Sequence, residues 1–255
     1  MPSVLKLTTP ILAVAILTAG CLGGGAPSTT ETGSMTTPDQ SELVAITDDH
    51  KAALEAAGSY TATWELRSGE AGEAARSQTR HTALVDYHNE RYLISQGVGS
   101  ASESQGGSIL FYADGRSYRQ VGPPENPSYG VQPAAFNPSI QATLRPMVPS
   151  SGDLSAFEYT GTTSYDGVTV KRYVLTERTP WLLAQSQLDE EFRIGEFDYE
   201  LMVDGDGLVR YERWHVMGTQ AGVERTVTFE YTLTDVGSTT VADPDWLAAA
   251  MAQNG

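Results

Sequence analysis

The sequence predicts an α+β protein built on one antiparallel β-sheet, with a helix before the strands, helical inserts between them and a helix at the end. Three observations carry that prediction. From Tyr60 to Thr234 the dominant hydrophobic period is two, the repeat of a strand with one face buried. Asp114-Gly115, Asp166-Gly167 and Asp204-Gly205-Asp206-Gly207 interrupt it with short turn signals, and strands joined by tight turns are antiparallel. The residues alternating with the apolar ones are mostly Thr and Glu, so the sheet is expected to be wet on one side.

The stretch ahead of this body has a different character. Ile11 to Leu17 is an apolar run, with Lys6 before it and Thr18, Ala19 and Gly20 after it, small enough to enter a peptidase cleft. A spanning helix needs about 20 apolar residues, and Pro10, Thr18 and Gly20 bracket a shorter run. The run stops at Cys21, the one cysteine of the chain, which therefore has no intramolecular disulfide partner. Small residues ahead of a cysteine resemble the lipobox of prokaryotic lipoproteins, here of haloarchaeal type. The resemblance implies cleavage before Cys21 and a lipid on its thiol, a membrane-lipid partner that would hold the protein at the extracytoplasmic face of the cell membrane. Thr18 stands where a lipobox usually has leucine, with Leu17 one step further out. The alternative is a plain secretory signal in which Cys21 is incidental. The expected organisation is a signal peptide over 1–20, a lipidated N-terminus and tether over 21–46, and a single domain over 47–255. Leu22 to Ser41 is Gly, Pro, Ser and Thr with few apolar residues, too little to order itself, hence a flexible tether.

Charge narrows the partners. The chain has 32 acidic against 16 basic residues, a net charge of −16, and only Lys6, Lys51 and Lys171 are lysines. Removing residues 1–20, which hold Lys6 and no acid, makes the balance one unit more negative. An acidic, lysine-poor exported chain fits a halophile, because self-repulsion is screened when the Debye length falls to about 3 Å at molar salt. Nucleic acid is not an expected partner, since phosphate contacts need clustered Lys and Arg.

The elements follow in order. Thr47 is a fair N-cap, Asp48 and Asp49 suit the positive end of a helix, Ala53, Leu54 and Ala57 give a narrow apolar stripe, and Gly58 suits its stop. Tyr60, Ala62, Trp64 and Leu66 alternate with Thr61, Thr63 and Glu65 as a strand. Further strands are expected at Thr79–Tyr87, Arg91–Gln96, Ser108–Ala113 and Arg116–Val121. Gly97 to Gly107 is expected to be a long mobile connection, and the prolines of Pro123 to Pro138 mark a loop that cannot join a ladder. Ser139–Met147 and Trp181–Leu188 are expected to be short helices, separated by strands at Phe157–Ser164 and Val168–Glu177. Phe197, Tyr199, Leu201 and Val203 share one face of the next strand, and Leu208–Val216 follows it. In the last strand Val223, Val227, Phe229, Tyr231 and Leu233 share a face broken only by Arg225. Asp243 as N-cap and Pro244 at the first helical position open a short terminal helix through Trp246 and Leu247.

Catalytic and metal motifs are weak. Asp86, His88 and Glu90 share a face, but Asn89 sits among them and a solvated hairpin end explains them. His81 and His215 read as surface histidines, and Asp204 to Gly207 lacks the later ligands of a calcium loop. No phosphate loop, nucleophile elbow or cofactor motif is present, so neither catalysis, a metal nor a cofactor is expected.

The order of elements behind a lipobox, with the ending Val241-Ala242-Asp243-Pro244-Asp245-Trp246-Leu247, resembles the lipoprotein-carrier superfamily. That group holds the bacterial lipoprotein carriers and receptors and the mycobacterial lipid-carrying lipoproteins. The resemblance implies a curved antiparallel half-barrel whose concave face is closed by helices over an apolar cavity. It further implies a lipid or other apolar ligand, with a wall of Trp64, Phe197, Tyr199, Leu201, Val227, Phe229 and Tyr231 and a partial lid from Ala142–Met147 and Trp181–Leu188. The competing expectation is a surface structural or interaction lipoprotein whose concave face is simply filled core. Void volume separates the two.

Overall fold

The structure, a computed structural model, describes residues 50–100, 103–123, 125–138, 157–175 and 192–253. Eleven strands form one large antiparallel sheet that is curved and unclosed. They are β1 (Ser59–Glu70), β2 (Ser77–Asp86), β3 (Arg91–Ser100), β4 (Glu103–Ala113), β5 (Arg116–Gly122), β6 (Ser128–Pro133), β7 (Glu158–Tyr165), β8 (Val168–Leu175), β9 (Arg193–Asp204), β10 (Val209–Gln220) and β11 (Val223–Thr234). Two short helices accompany them among the described residues: α1 over 50–57, and α2, Leu247–Gln253. The fold is mostly β.

The spatial order β6-β5-β4-β3-β2-β1-β11-β10-β9-β8-β7 is two meanders that meet at the centre. There the first and last strands pair, Trp64 opposite Tyr231 and Leu66 opposite Phe229. Asp114-Gly115 and Asp166-Gly167 hold φ of 51° and 72° and of 48° and 78°, the doubly left-handed backbone of a type I′ turn. Ala221-Gly222 makes a third such turn at 50° and 80°, with alanine where asparagine or glycine is favoured.

Alternation gives the sheet two faces. The first carries the main cluster, including Ala62, Val85, Tyr92, Tyr112, Leu201, Trp214, Phe229 and Tyr231, and α1 packs on it through Ala53 and Leu54. Gly58 ends α1 at φ 77°, the left-handed region that favours glycine, with the His88 ring 2.3 Å from where a Cβ would stand.

The second face corrects the expectation of a sheet wet on one side. Across β1, β11, β10 and β9 it is polar as expected, with Arg67 bidentate on Glu65 at 2.6 and 2.9 Å and His215 Nδ1 at 2.9 Å from Thr228 Oγ1. Across β2 to β6 it carries a second apolar cluster of Phe111, Ala113 and Tyr118, with Leu84, Leu93, Tyr129 and Val131 packed against it. The C-terminal segment covers this patch with Val241, Trp246, Leu247 and Ala250, Trp246 stacking on Tyr129 at 5.9 Å. The reason is visible in β4, where Ile109 to Ala113 is a continuous apolar run, apolar on both faces. The two described helices are therefore not gathered on one face: α1 lies on the first face and α2 on the second.

Other expectations shift locally. Gly97 to Gly107 is no long connection, because β3 and β4 continue through it to the pair Ser100–Glu103. Within 123–138, β6 joins the ladder on β5. It is an edge strand, where proline is tolerated, and its one proline is the last residue, Pro133. The terminal helix begins at Leu247, its first amide bonded back to Pro244 O at 2.9 Å. Residues 1–49, the 139–156 segment where a helix is expected at Ser139–Met147, and the 176–191 segment where one is expected at Trp181–Leu188 lie outside the described residues, and so does Cys21.

Candidate functional site

The seven wall residues expected from sequence do share the first face. β10 aligns those of β9 and β11: Glu212 lies opposite both Leu201 and Tyr231, Trp214 opposite Tyr199 and Phe229, and Val216 opposite Phe197 and Val227. Trp64 reaches the group from β1, edge-on to Phe229 at 5.4 Å, while Trp214 stacks on the same ring at 5.7 Å. Burial divides the seven. Tyr199, Leu201, Val227, Phe229 and Tyr231 are buried, whereas Trp64 and Phe197 are half-buried.

That division follows a gradient along the strands. At the end where α1 packs, the first face is sealed, with Tyr60, Val85, Tyr92, Val203 and Leu233 all buried. Toward the other end Trp64, Leu66, Ile194 and Phe197 are half-buried. Val98, Val121 and Val223, on the same face by alternation, are exposed at 44%, 37% and 38%. Phe192 folds over this region, its ring 2.5 Å from where a Cβ on Gly218 would stand, so only glycine leaves room for it. One end of the apolar face is thus closed, and the other is open to contact in part, with Val216 and Val227 buried between the half-buried residues.

Polar groups sit inside the closed end. Glu212 is fully buried and accepts from the Tyr199 hydroxyl at 2.6 Å. Burial, then the neighbouring Glu212, holds the Tyr199 hydroxyl well above the ordinary phenol range. His50 Nδ1 accepts from the Val209 amide at 3.3 Å, which leaves the ring proton on Nε2, 3.4 Å from Tyr231 Oη. Burial pulls His50 down to about 4, against the opposing pull of Asp204 and with that of Arg210, so it is neutral at pH 7. The indole Nε1 of Trp214 is buried with no hydrogen-bond partner.

Sequence reasoning missed His50, Glu212 and Trp214. In β10, Arg210 and Glu212 share a face with Trp214 and Val216, and the charges hide an inward face whose register against Phe229 reveals it. It also misplaced His81, which is buried edge-on to Trp64 at 4.9 Å rather than on the surface. His215 is half-buried on the polar face.

The acidic turns are built by their own carboxylates. Asp204 Oδ1 accepts from the amides of Asp206 and Leu208 at 3.0 Å each, and Oδ2 from Arg210 Nε at 2.6 Å. Asp86 is similarly taken by Asn89 at 3.0 and 2.7 Å. No metal-binding group of His, Cys, Asp and Glu is found among the described residues, and none of their helices is long and apolar enough to cross a membrane.

Residues 6–250 match a family model described as Family of unknown function (DUF7537). The chain belongs to this family. No curated protein matches it. Among solved structures it is similar to lipoprotein LppX from Mycobacterium tuberculosis, at 11% identity and TM-score 0.42, over 80% of this chain and 100% of that one. It is similar to LprF from Mycobacterium bovis at 10% identity and TM-score 0.37, over 82% and 98%. A LolA superfamily protein from Nitrosomonas europaea shows 12% identity and TM-score 0.22, over 77% and 95%. At such scores these likenesses carry no weight for function, which rests on the geometry of the chain itself.

Proposed function

We propose that this DUF7537 member is a membrane-anchored extracytoplasmic lipoprotein that binds a lipid or other apolar ligand on the first face of its sheet. The observation that carries the reading is the gradient of that face, sealed under α1 and open from Trp64, Leu66 and Phe197 outward to Val98, Val121 and Val223. An alkyl chain laid on these residues gains about 0.8 kcal/mol per buried CH₂. Cys21 is the proposed anchor, and the stretch after it gives the body reach from the membrane surface. No cofactor or catalytic step is part of this reading.

A second reading has its own support. Five of the seven wall residues are buried against one another, as in a surface or interaction lipoprotein with a filled core and no ligand. Displacement of a fluorescent fatty acid from the full-length protein separates the two. Saturable binding that Phe197→Asp weakens supports the ligand reading. Its absence from folded wild type leaves the filled-core domain. For the anchor, Cys21→Ala protein retained on membranes like wild type would remove the lipid.

A further inference from the structure

We infer that the ligand is an anionic lipid and that Arg225 holds its phosphate or carboxylate head, an inference that rests on the apolar-ligand reading above. Arg225 is the one charge that interrupts the apolar face of β11, between Val223 and Val227, at the open end. It is half-buried, and its Nε is buried without a hydrogen-bond partner. A buried donor left unpaired is costly, and a charged one more so.

Its cross-strand neighbours leave it outside any ion pair. Across one side of β11 stands Gly218, which has no side chain. Across the other stands Glu70, whose carboxylate is engaged by Arg76 at 2.6 Å. Elsewhere among the described residues, arginines are paired, as Arg67 with Glu65, Arg210 with Asp204 and Arg213 with Asp198, or exposed to water, as Arg116 and Arg193. In a chain with 32 acids to 16 bases, a half-buried arginine that forms no ion pair among the described residues is a place kept for an anion. The guanidinium fork matches phosphate and carboxylate geometry. An alkyl chain running from Arg225 along the neighbouring β1 meets the half-buried Leu66 and Trp64, so head and tail of one amphiphile are served by one strand and its neighbour.

Calorimetric titration of purified full-length protein with oleyl phosphate, oleyl alcohol and inorganic phosphate tests this. Wild type is expected to bind oleyl phosphate about tenfold or more tightly than oleyl alcohol. Arg225→Gln is expected to bring oleyl phosphate down to the oleyl alcohol level, and Arg225→Lys to keep part of the preference, with circular dichroism checking both folds. Equal binding of the two lipids by wild type, or a preference that survives in Arg225→Gln, overturns the role of Arg225 and leaves the apolar-ligand reading standing. Inorganic phosphate binding as tightly as oleyl phosphate also overturns it, since the chain then contributes nothing. Binding of neither lipid overturns both readings.

Discussion

The Tyr199 hydroxyl donates to Glu212 Oε1 over 2.6 Å at a point on neighbouring strands where both side chains are sealed from solvent. A carboxyl there depends on its donors. Tyr199→Phe is therefore expected to cost about 1–3 kcal/mol, the penalty for leaving a buried polar group short of a partner. Replacing both residues, as Tyr199→Phe with Glu212→Leu, removes donor and acceptor together and is expected to cost less than the sum of the single changes. Chemical denaturation of the four proteins measures the coupling. Strict additivity would show that the bond contributes nothing.

His50 makes stability depend on pH. Its folded value is held at about 4, below the ordinary 6.5, so between those values the unfolded chain binds the proton and the folded one does not. Stability from this group is complete above pH 6.5 and is lost as pH falls toward 4. At about 1.4 kcal/mol per pH unit, the loss is on the order of 3 kcal/mol. His50→Gln is expected to show a shallower decline over that window. Parallel denaturation curves for both proteins from pH 7 to 4 would contradict the assignment.

Ala221 occupies the left-handed region at φ 50° in the β10–β11 turn. A non-glycine residue there costs about 1–2 kcal/mol, less for asparagine. Ala221→Asn is expected to raise the melting temperature by roughly 2–4 °C, as read by calorimetry. An unchanged or lower melting temperature would mean that alanine is not strained in this turn.

How much of this was legible in the sequence depends on which force dominates at each residue. The hairpins at Asp114-Gly115 and Asp166-Gly167 and the strand Val223–Thr234 were readable because local turn chemistry and a clean period of two agree with the tertiary fold. The run Ile109 to Ala113 is apolar on both faces, a sign of double burial that period-two reasoning passes over, and so the cover by α2 went unseen. Ladder pairing carries β3 and β4 through the glycines of 97–107 because a partner strand orders what composition alone would leave loose. Glu212 and Trp214 were hidden because their inward face is decided by register against β11, which is long-range information. Trp64 and Phe197 share a face with the more deeply buried Tyr199 and Phe229, but alternation says only which face a side chain takes, not how deeply it is covered.

The central claim is that the open end of the apolar face holds a ligand in the native protein. Mass spectrometry of the full-length protein taken from its own membrane tests it most directly, recorded under denaturing and then native conditions. The denatured mass contains whatever is covalently attached, including any lipid on Cys21, and the native mass adds what is held without a bond. The account predicts a native excess equal to a lipid, present in wild type and absent from folded Phe197→Asp. Equal native and denatured masses for wild type, or the same excess in Phe197→Asp, would contradict it.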